Sequence, residues 1–142
     1  MAQYAPHIGR YKETLMELDH SVVPVKDKEA YSKQIAHVMG WTFLGVRGSQ
    51  GHVRVNDSLV LRFDDKDPDA NRKAFHYAFH VDAGEFDGIL ERAKAEGMTY
   101  GTSTRDPNME WNDLHGGRRT FLHDLEGHSY ELMEAASPAA LD

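Results

Sequence analysis

Four polar side chains stand in otherwise apolar or aromatic runs: His20 in "LDHSVVPV", Arg62 in "SLVLRF", His76 in "AFHYAFHV" and Glu131 in "SYELM". Two imidazoles and one carboxylate on rigid strands are what a divalent metal requires. With open positions left over, that set suits Fe(II), Mn, Ni, Co or Zn. Glu131 brings one negative charge, so a bound dication would stay positive and favour an anionic or oxygen-rich ligand. The competing reading is structural: packed, hydrogen-bonded histidines, with Glu131 facing solvent on an alternating strand. A half-buried, unpartnered carboxylate would be costly, which favours the metal. His80 shares a strand face with His76, and His123 shares one with Phe121. An imidazole with a pKa near 6.5 suits proton transfer, so His80 and His123 are candidate acid–base residues. His128 and Asp124 fall in a turn and are expected to be a solvated pair.

The elements that carry these residues repeat. "LDHSVVPVKDKEAYSKQIAHVMGWTFLG" reads as a strand, then a helix capped by Asp27, then Gly40, then a further strand. Tyr31, Ile35 and Val38 or Met39 give the helix its apolar face. "AFHYAFHVDAGEF" opens the same grammar again. Its aromatic and β-branched run predicts a strand. Phe86, Ile89, Leu90 and Ala93 then share a helical face, Gly97 ends it, and "MTYGT" is a short strand. Val25 and Val81 each follow their histidine by five positions, Gly45 and Gly101 by 25. Later strands are "GHVRV" and "SLVLRF" in the first half, "RTFLHD" and "HSYELM" in the second. The fold class expected is α+β, with two βαβββ modules that share a core because each is small alone. Related by a pseudo-two-fold axis, the modules should converge His20, His76, Glu131 and Arg62.

The chain has 142 residues, which suits one domain: an extension at 1–16, modules at 17–66 and 74–134, and a tail at 135–142. The boundary between modules is the polar "DDKDPDANRK". Formal net charge is −7 and no basic stripe forms, which argues against nucleic acid and anionic membranes as partners. There is no cysteine, so thiolate chemistry and disulfides are excluded and a cytoplasmic location is expected. No apolar stretch approaches membrane-spanning length. "TSTRDPNMEWNDLHGGRR" is a long loop carrying Trp111, His115, Arg118 and Arg119. Such a loop is a candidate lid or a dimer contact. Arg119 adjoins the strand of Phe121 and is the better substrate-binding candidate of the two arginines.

"LDHSVVPVKD", "HYAFHVD" and "GGRRTFLHDLEGHSYEL" resemble the three signature segments of the vicinal oxygen chelate superfamily. That superfamily holds glyoxalases, bleomycin-resistance proteins, fosfomycin-resistance transferases and extradiol dioxygenases. The resemblance spans roughly residues 17–134 and implies paired βαβββ modules, a U-shaped mixed sheet around a metal site, and a homodimer. It puts His20, His76 and Glu131 at the metal positions. Glyoxalase I-type members have a fourth ligand where Arg62 stands, and a guanidinium cannot ligate. Arg62 would clamp a substrate anion, or pair with Glu131 in place of a metal. Fosfomycin-type transferases usually have Tyr where Phe121 stands, which argues against that substrate. The function expected is a divalent-metal enzyme of extradiol dioxygenase type. It would act on a small, oxygen-chelating, anionic or aromatic substrate, with Arg62, Arg119, Phe121 and Trp111 as substrate contacts. The alternatives are an antibiotic-sequestering protein of bleomycin-resistance type and a glyoxalase-type isomerase.

Overall fold

Strand alternation and two capped helices build the chain twice over. The computed structural model describes residues 14–67, 74–114, 116–124 and 126–135. Most of the N-terminal extension, the tail beyond 135 and His115 lie outside the described residues. The first module runs β1 (His20–Pro24), α1 (Lys28–Met39), β2 (Thr42–Arg47), β3 (Gln50–Arg54) and β4 (Val60–Asp64). The second runs β5 (His76–His80), α2 (Ala83–Ala95), β6 (Thr99–Gly101), β7 (Arg119–His123) and β8 (Ser129–Met133). Each module makes its own four-stranded mixed sheet, in the orders β1-β4-β3-β2 and β5-β8-β7-β6. The first strand of each pairs in parallel with the last, and the other pairings are antiparallel.

The helices start and stop for local reasons. Asp27 accepts hydrogen bonds from the Glu29 and Ala30 amides, and Gly40 closes α1 at φ 75°. Asp82 and Glu85 form a capping box at the start of α2. Gly51, on β3, is where α1 rests. A Cβ there would sit 2.7 Å from the Lys28 carbonyl, so glycine sets the closeness of helix to sheet.

One core serves both modules. Val23, Leu61 and Phe63 from the first sheet, Leu122, Tyr130 and Leu132 from the second, and the inner faces of both helices form a single buried cluster. The Arg92 Nε donates to the Val38 carbonyl at 2.9 Å and ties the helices together. Phe63 is fully buried, its ring 4.9 Å from that of Tyr31. Phe63→Ala is expected to destabilise the fold by about 3–5 kcal/mol, from lost transfer energy and the cavity left behind. Urea denaturation checks this: the midpoint should fall at unchanged slope.

A polar joint crosses the core between modules. His128 Nε2 donates to the Pro24 carbonyl at 2.8 Å, and its Nδ1 accepts the Phe75 amide at 2.9 Å. Asp124 accepts the Glu126 and His128 amides and the Tyr31 hydroxyl, which also meets the Tyr130 hydroxyl at 2.8 Å. Burial pushes both tyrosine pKa values up. The expectation of a solvated His128–Asp124 pair is therefore corrected: they are only 2% and 9% exposed. The turn folds back under the first module, so residues that look like turn polarity become the joint.

Candidate metal centre

His76 is held through both ring nitrogens. Its Nε2–H donates to the Glu131 carboxylate at 3.2 Å, and its Nδ1 meets Ser129 Oγ at 2.7 Å. Ser129 is the residue directly across from His76 in the β5–β8 register, and Glu131 lies opposite Ala78, two further along the same face. A hydrogen bond at Nδ1 is how ligating histidines are oriented, and a dication would take the place of the Nε2 proton between imidazole and carboxylate. Glu131 is 8% exposed, so the expected awkwardness of its charge is real, and its second oxygen meets Arg119 Nη1 at 3.5 Å. The Arg119 guanidinium lies over Phe121 at 5.6 Å, and the Phe121 ring lies 5.8 Å from that of His76. His76, Glu131, Arg119 and Phe121 thus share the open face of the second sheet.

His20 shows the same local pattern on the other sheet. Its Nδ1–H donates to the Asp19 carboxylate at 2.8 Å, leaving Nε2 outward. The hydrogen bond from His20 holds the Asp19 carboxyl below its usual range.

The expected convergence of four residues within one chain does not occur. Ser21 Oγ and Tyr77 Oη meet at 2.7 Å on the inner faces of the first strands. Successive strand residues point to opposite faces, so His20 and His76, each one position earlier, face away from that meeting point. Among the described residues no three His, Asp or Glu side chains gather closely enough to hold a metal. Arg62 lies on the His20 face, so the alternative in which it neutralises Glu131 fails within the chain; Arg119 is the cation beside that carboxylate.

Other candidates fall at the margins. His80 Nε2 donates to the Glu134 carbonyl at 3.0 Å, and His123 Nε2 donates to the Ser103 carbonyl at 2.8 Å. Trp111 is not brought to His76. It stacks under the Arg118 guanidinium at 5.4 Å, and Arg118 also covers Phe86 of α2 at 4.3 Å. The reason is parity again: Arg118 and Arg119 are neighbours and point opposite ways.

His52 was missed from the sequence, where "GHVRV" marks it only as a strand residue. It lies directly across from Arg62 on β3. Burial, then Arg62 and Arg47, then His20, lower its pKa. The usable signal was the repeat itself, since His52 occupies on β3 the register place that Phe121 occupies on β7.

Arg118 anchors the long loop. It binds Asp87 at 2.7 Å and Glu134 at 2.8 Å. The Arg118 hydrogen bonds hold the Glu134 carboxyl below its usual range. A carboxylate with a depressed folded pKa contributes stability above its unfolded pKa and loses it as pH falls through the folded value. Trp111 fluorescence, read in a Trp41→Phe background, is therefore expected to hold steady above about pH 4.5 and change below it. Arg118→Gln should remove that transition.

No protein-family model matches the chain, and no curated protein matches it. Solved structures do. Oxidase ChaP-H2 is 27% identical, with a TM-score of 0.78 over 89% of this chain and 100% of that one. Oxidase ChaP-H1 is 29% identical, with a TM-score of 0.76 over 85% and 97%. A fosfomycin resistance protein, FosX from Listeria monocytogenes, complexed with Mn(II) and sulfate, is 20% identical, with a TM-score of 0.63 over 87% and 93%. At that identity FosX speaks for the fold alone. Paired βαβββ modules, two mixed sheets and these neighbours together place the chain by its architecture: it has the fold of the vicinal oxygen chelate superfamily.

Proposed function

We propose that the protein is a divalent-metal-dependent enzyme acting on a small oxygen-chelating substrate, as a dioxygenase of extradiol type, and that it works as a homodimer. His20, His76 and Glu131 are the proposed ligands, with His20 supplied by a second copy. One observation carries this. Two histidines at equivalent places each have Nδ1 tied to an oxygen, and His76 has Nε2 on the Glu131 carboxylate, yet one chain holds the two rings on faces that point apart. A two-fold pairing that sets the first sheet of one copy against the second sheet of another would complete two identical sites. Val22 and Leu44 on the first sheet are 41% and 52% exposed, an apolar area that such pairing would cover.

The donor set fits a hard or borderline dication such as Fe(II), Mn, Ni, Co or Zn. When bound, the metal would supply Lewis acidity toward two vicinal oxygens and, as Fe(II) or Mn(II), electrons for O2 chemistry. The chain's own groups would do the rest. Arg119 and Phe121 would hold the substrate against the His76 face, and Arg62 would reach it from the other copy. His80 and His123 would carry the proton. The names of the ChaP-H neighbours favour oxidation over isomerisation.

Mixing two inactive variants tests the reading. His20→Ala and His76→Ala copies, unfolded together and refolded, should form about half mixed dimers. Each would carry one intact site, so about a quarter of wild-type metal and activity toward a catechol should return. Sites built within single chains would return none, and that result would sink the two-copy arrangement. A wild-type protein that takes up no metal after anaerobic reconstitution would sink the enzyme and promote the sequestering protein.

A further inference from the structure

The open face of the first sheet carries a cleft of about 710 Å³, a size that accommodates a small organic ligand. Its floor is Arg62 and His52, both half-buried and directly across from each other in the β3–β4 register. Beside His52 on β2 lies Gly45, where a Cβ would meet nothing within 4 Å. Beside Arg62 on β1 lies Val22. The row across the sheet is therefore valine, arginine, histidine, glycine, with one full charge in the middle; the carboxylate that feels this charge, Asp19, lies outside the row on the cleft's exposed edge.

The carboxylates that line the cleft, Glu17, Asp19 and Asp57, are all exposed, and Asp19 is held by His20. Arg54 is occupied by the Asn56 and Asp57 carbonyls. Arg62 is different. Its Nε is buried and has no hydrogen-bond partner among the described residues. An N–H of a guanidinium kept from water and left unpaired is costly, and an oxyanion is the ligand that relieves it best. Nε–H and one Nη–H form a side-on fork that matches the two oxygens of a carboxylate. His52 stays neutral more readily than a free imidazole, so it would offer one N–H without adding charge.

We propose that Arg62 and His52 form a subsite for a carboxylate on the substrate, with Arg47 as a second cation at its edge. This deepens the metal reading and rests on it for one point: that the anchored molecule is the one the metal would bind. Arg62 holds in the first sheet the register place that Glu131 holds in the second. Face-to-face copies would then put the guanidinium of one near the carboxylate of the other. The substrate class is an aromatic carboxylate that also carries adjacent hydroxyl oxygens.

Metal-free protein gives a test that does not depend on the metal. Benzoate and sulfate are titrated into chelator-treated wild type, Arg62→Met, Arg62→Lys and His52→Phe, read by calorimetry and by backbone amide shifts of β3 and β4. Benzoate should bind wild type and shift those amides, and Arg62→Met should weaken it about tenfold or more. Arg62→Lys, which keeps the charge and loses the fork, should recover only part of that. His52→Phe should weaken benzoate while keeping the fold, and sulfate should bind less tightly than benzoate. Equal benzoate affinity in wild type and Arg62→Met, each shown folded by circular dichroism, would overturn the subsite. So would a full recovery by lysine, because charge alone would then suffice. Wild type that binds metal but no benzoate overturns the subsite and leaves the metal reading standing. Benzoate bound by a chain that takes no metal does the reverse.

Discussion

Glu131→Gln and His76→Ala proteins, purified anaerobically, are expected to emerge with less than a tenth of the wild-type metal. Outer partners of a metal site are worth about 10–100-fold in affinity, and a direct ligand is worth at least the upper end of that range. Glutamine at 131 is the more informative change. It keeps the volume of a residue that is 8% exposed in the middle of β8, so the fold should survive. It can still accept from Arg119, which lies 3.5 Å from the native carboxylate, so the local cation is not abandoned. What it loses is the anionic oxygen that faces His76 Nε2 at 3.2 Å. Ser129→Ala leaves both donors and frees the His76 ring, so its loss should be smaller, about tenfold. Elemental analysis by mass spectrometry checks the series. Full metal in Glu131→Gln would show that this carboxylate is no ligand and would move the site elsewhere.

The second large effect is on folding. His128→Ala is expected to cost about 3–5 kcal/mol, although the residue lies in what reads as a surface turn. The imidazole is 2% exposed and joins the end of β1 to the start of β5 through two hydrogen bonds. Removing it strands the Pro24 carbonyl and the Phe75 amide, at about 1–3 kcal/mol for each group left unsatisfied. It also leaves a gap beside the rings of Tyr31 and Phe75, which lie 6.1 and 5.9 Å from the imidazole. Because the joint spans both modules, unfolding should stay a single transition at a lower midpoint. Two separated transitions would mean that the modules fold independently and that His128 is not what couples them. Denaturation followed by both Trp41 fluorescence and far-ultraviolet circular dichroism distinguishes these.

The local grammar of the chain was open to reading from the residues alone. Asp27 and Gly40 bound a helix because a carboxylate can cap free amides and glycine tolerates φ 75°. Phe86, Ile89, Leu90 and Ala93 had to share a buried face because of the 3.6-residue period. The equivalence of His20 and His76 followed from the repeat, and the structure keeps it in register: each begins the first strand of its sheet. Period and repeat are properties of neighbours along the chain, so a single sequence carries them.

Which face of each sheet is covered was a different matter. Alternation says that His20 and Ser21 point opposite ways, and it is silent on which of them meets the other module. Packing decided that. The inner faces with Val23, Phe63, Tyr130 and Leu132 bury the apolar area, Ser21 and Tyr77 meet there, and both histidines are left outside. The same long-range choice buried Asp124 and His128, paired Glu131 with Arg119 instead of Arg62, and set His52 beside Arg62. Each of these joins residues far apart in the chain, and their contact depends on how two half-cores close on one another. The residue types and repeat that suggest a metal were written in the sequence; that one chain brings only part of the candidate set together was decided by the burial of the opposite faces.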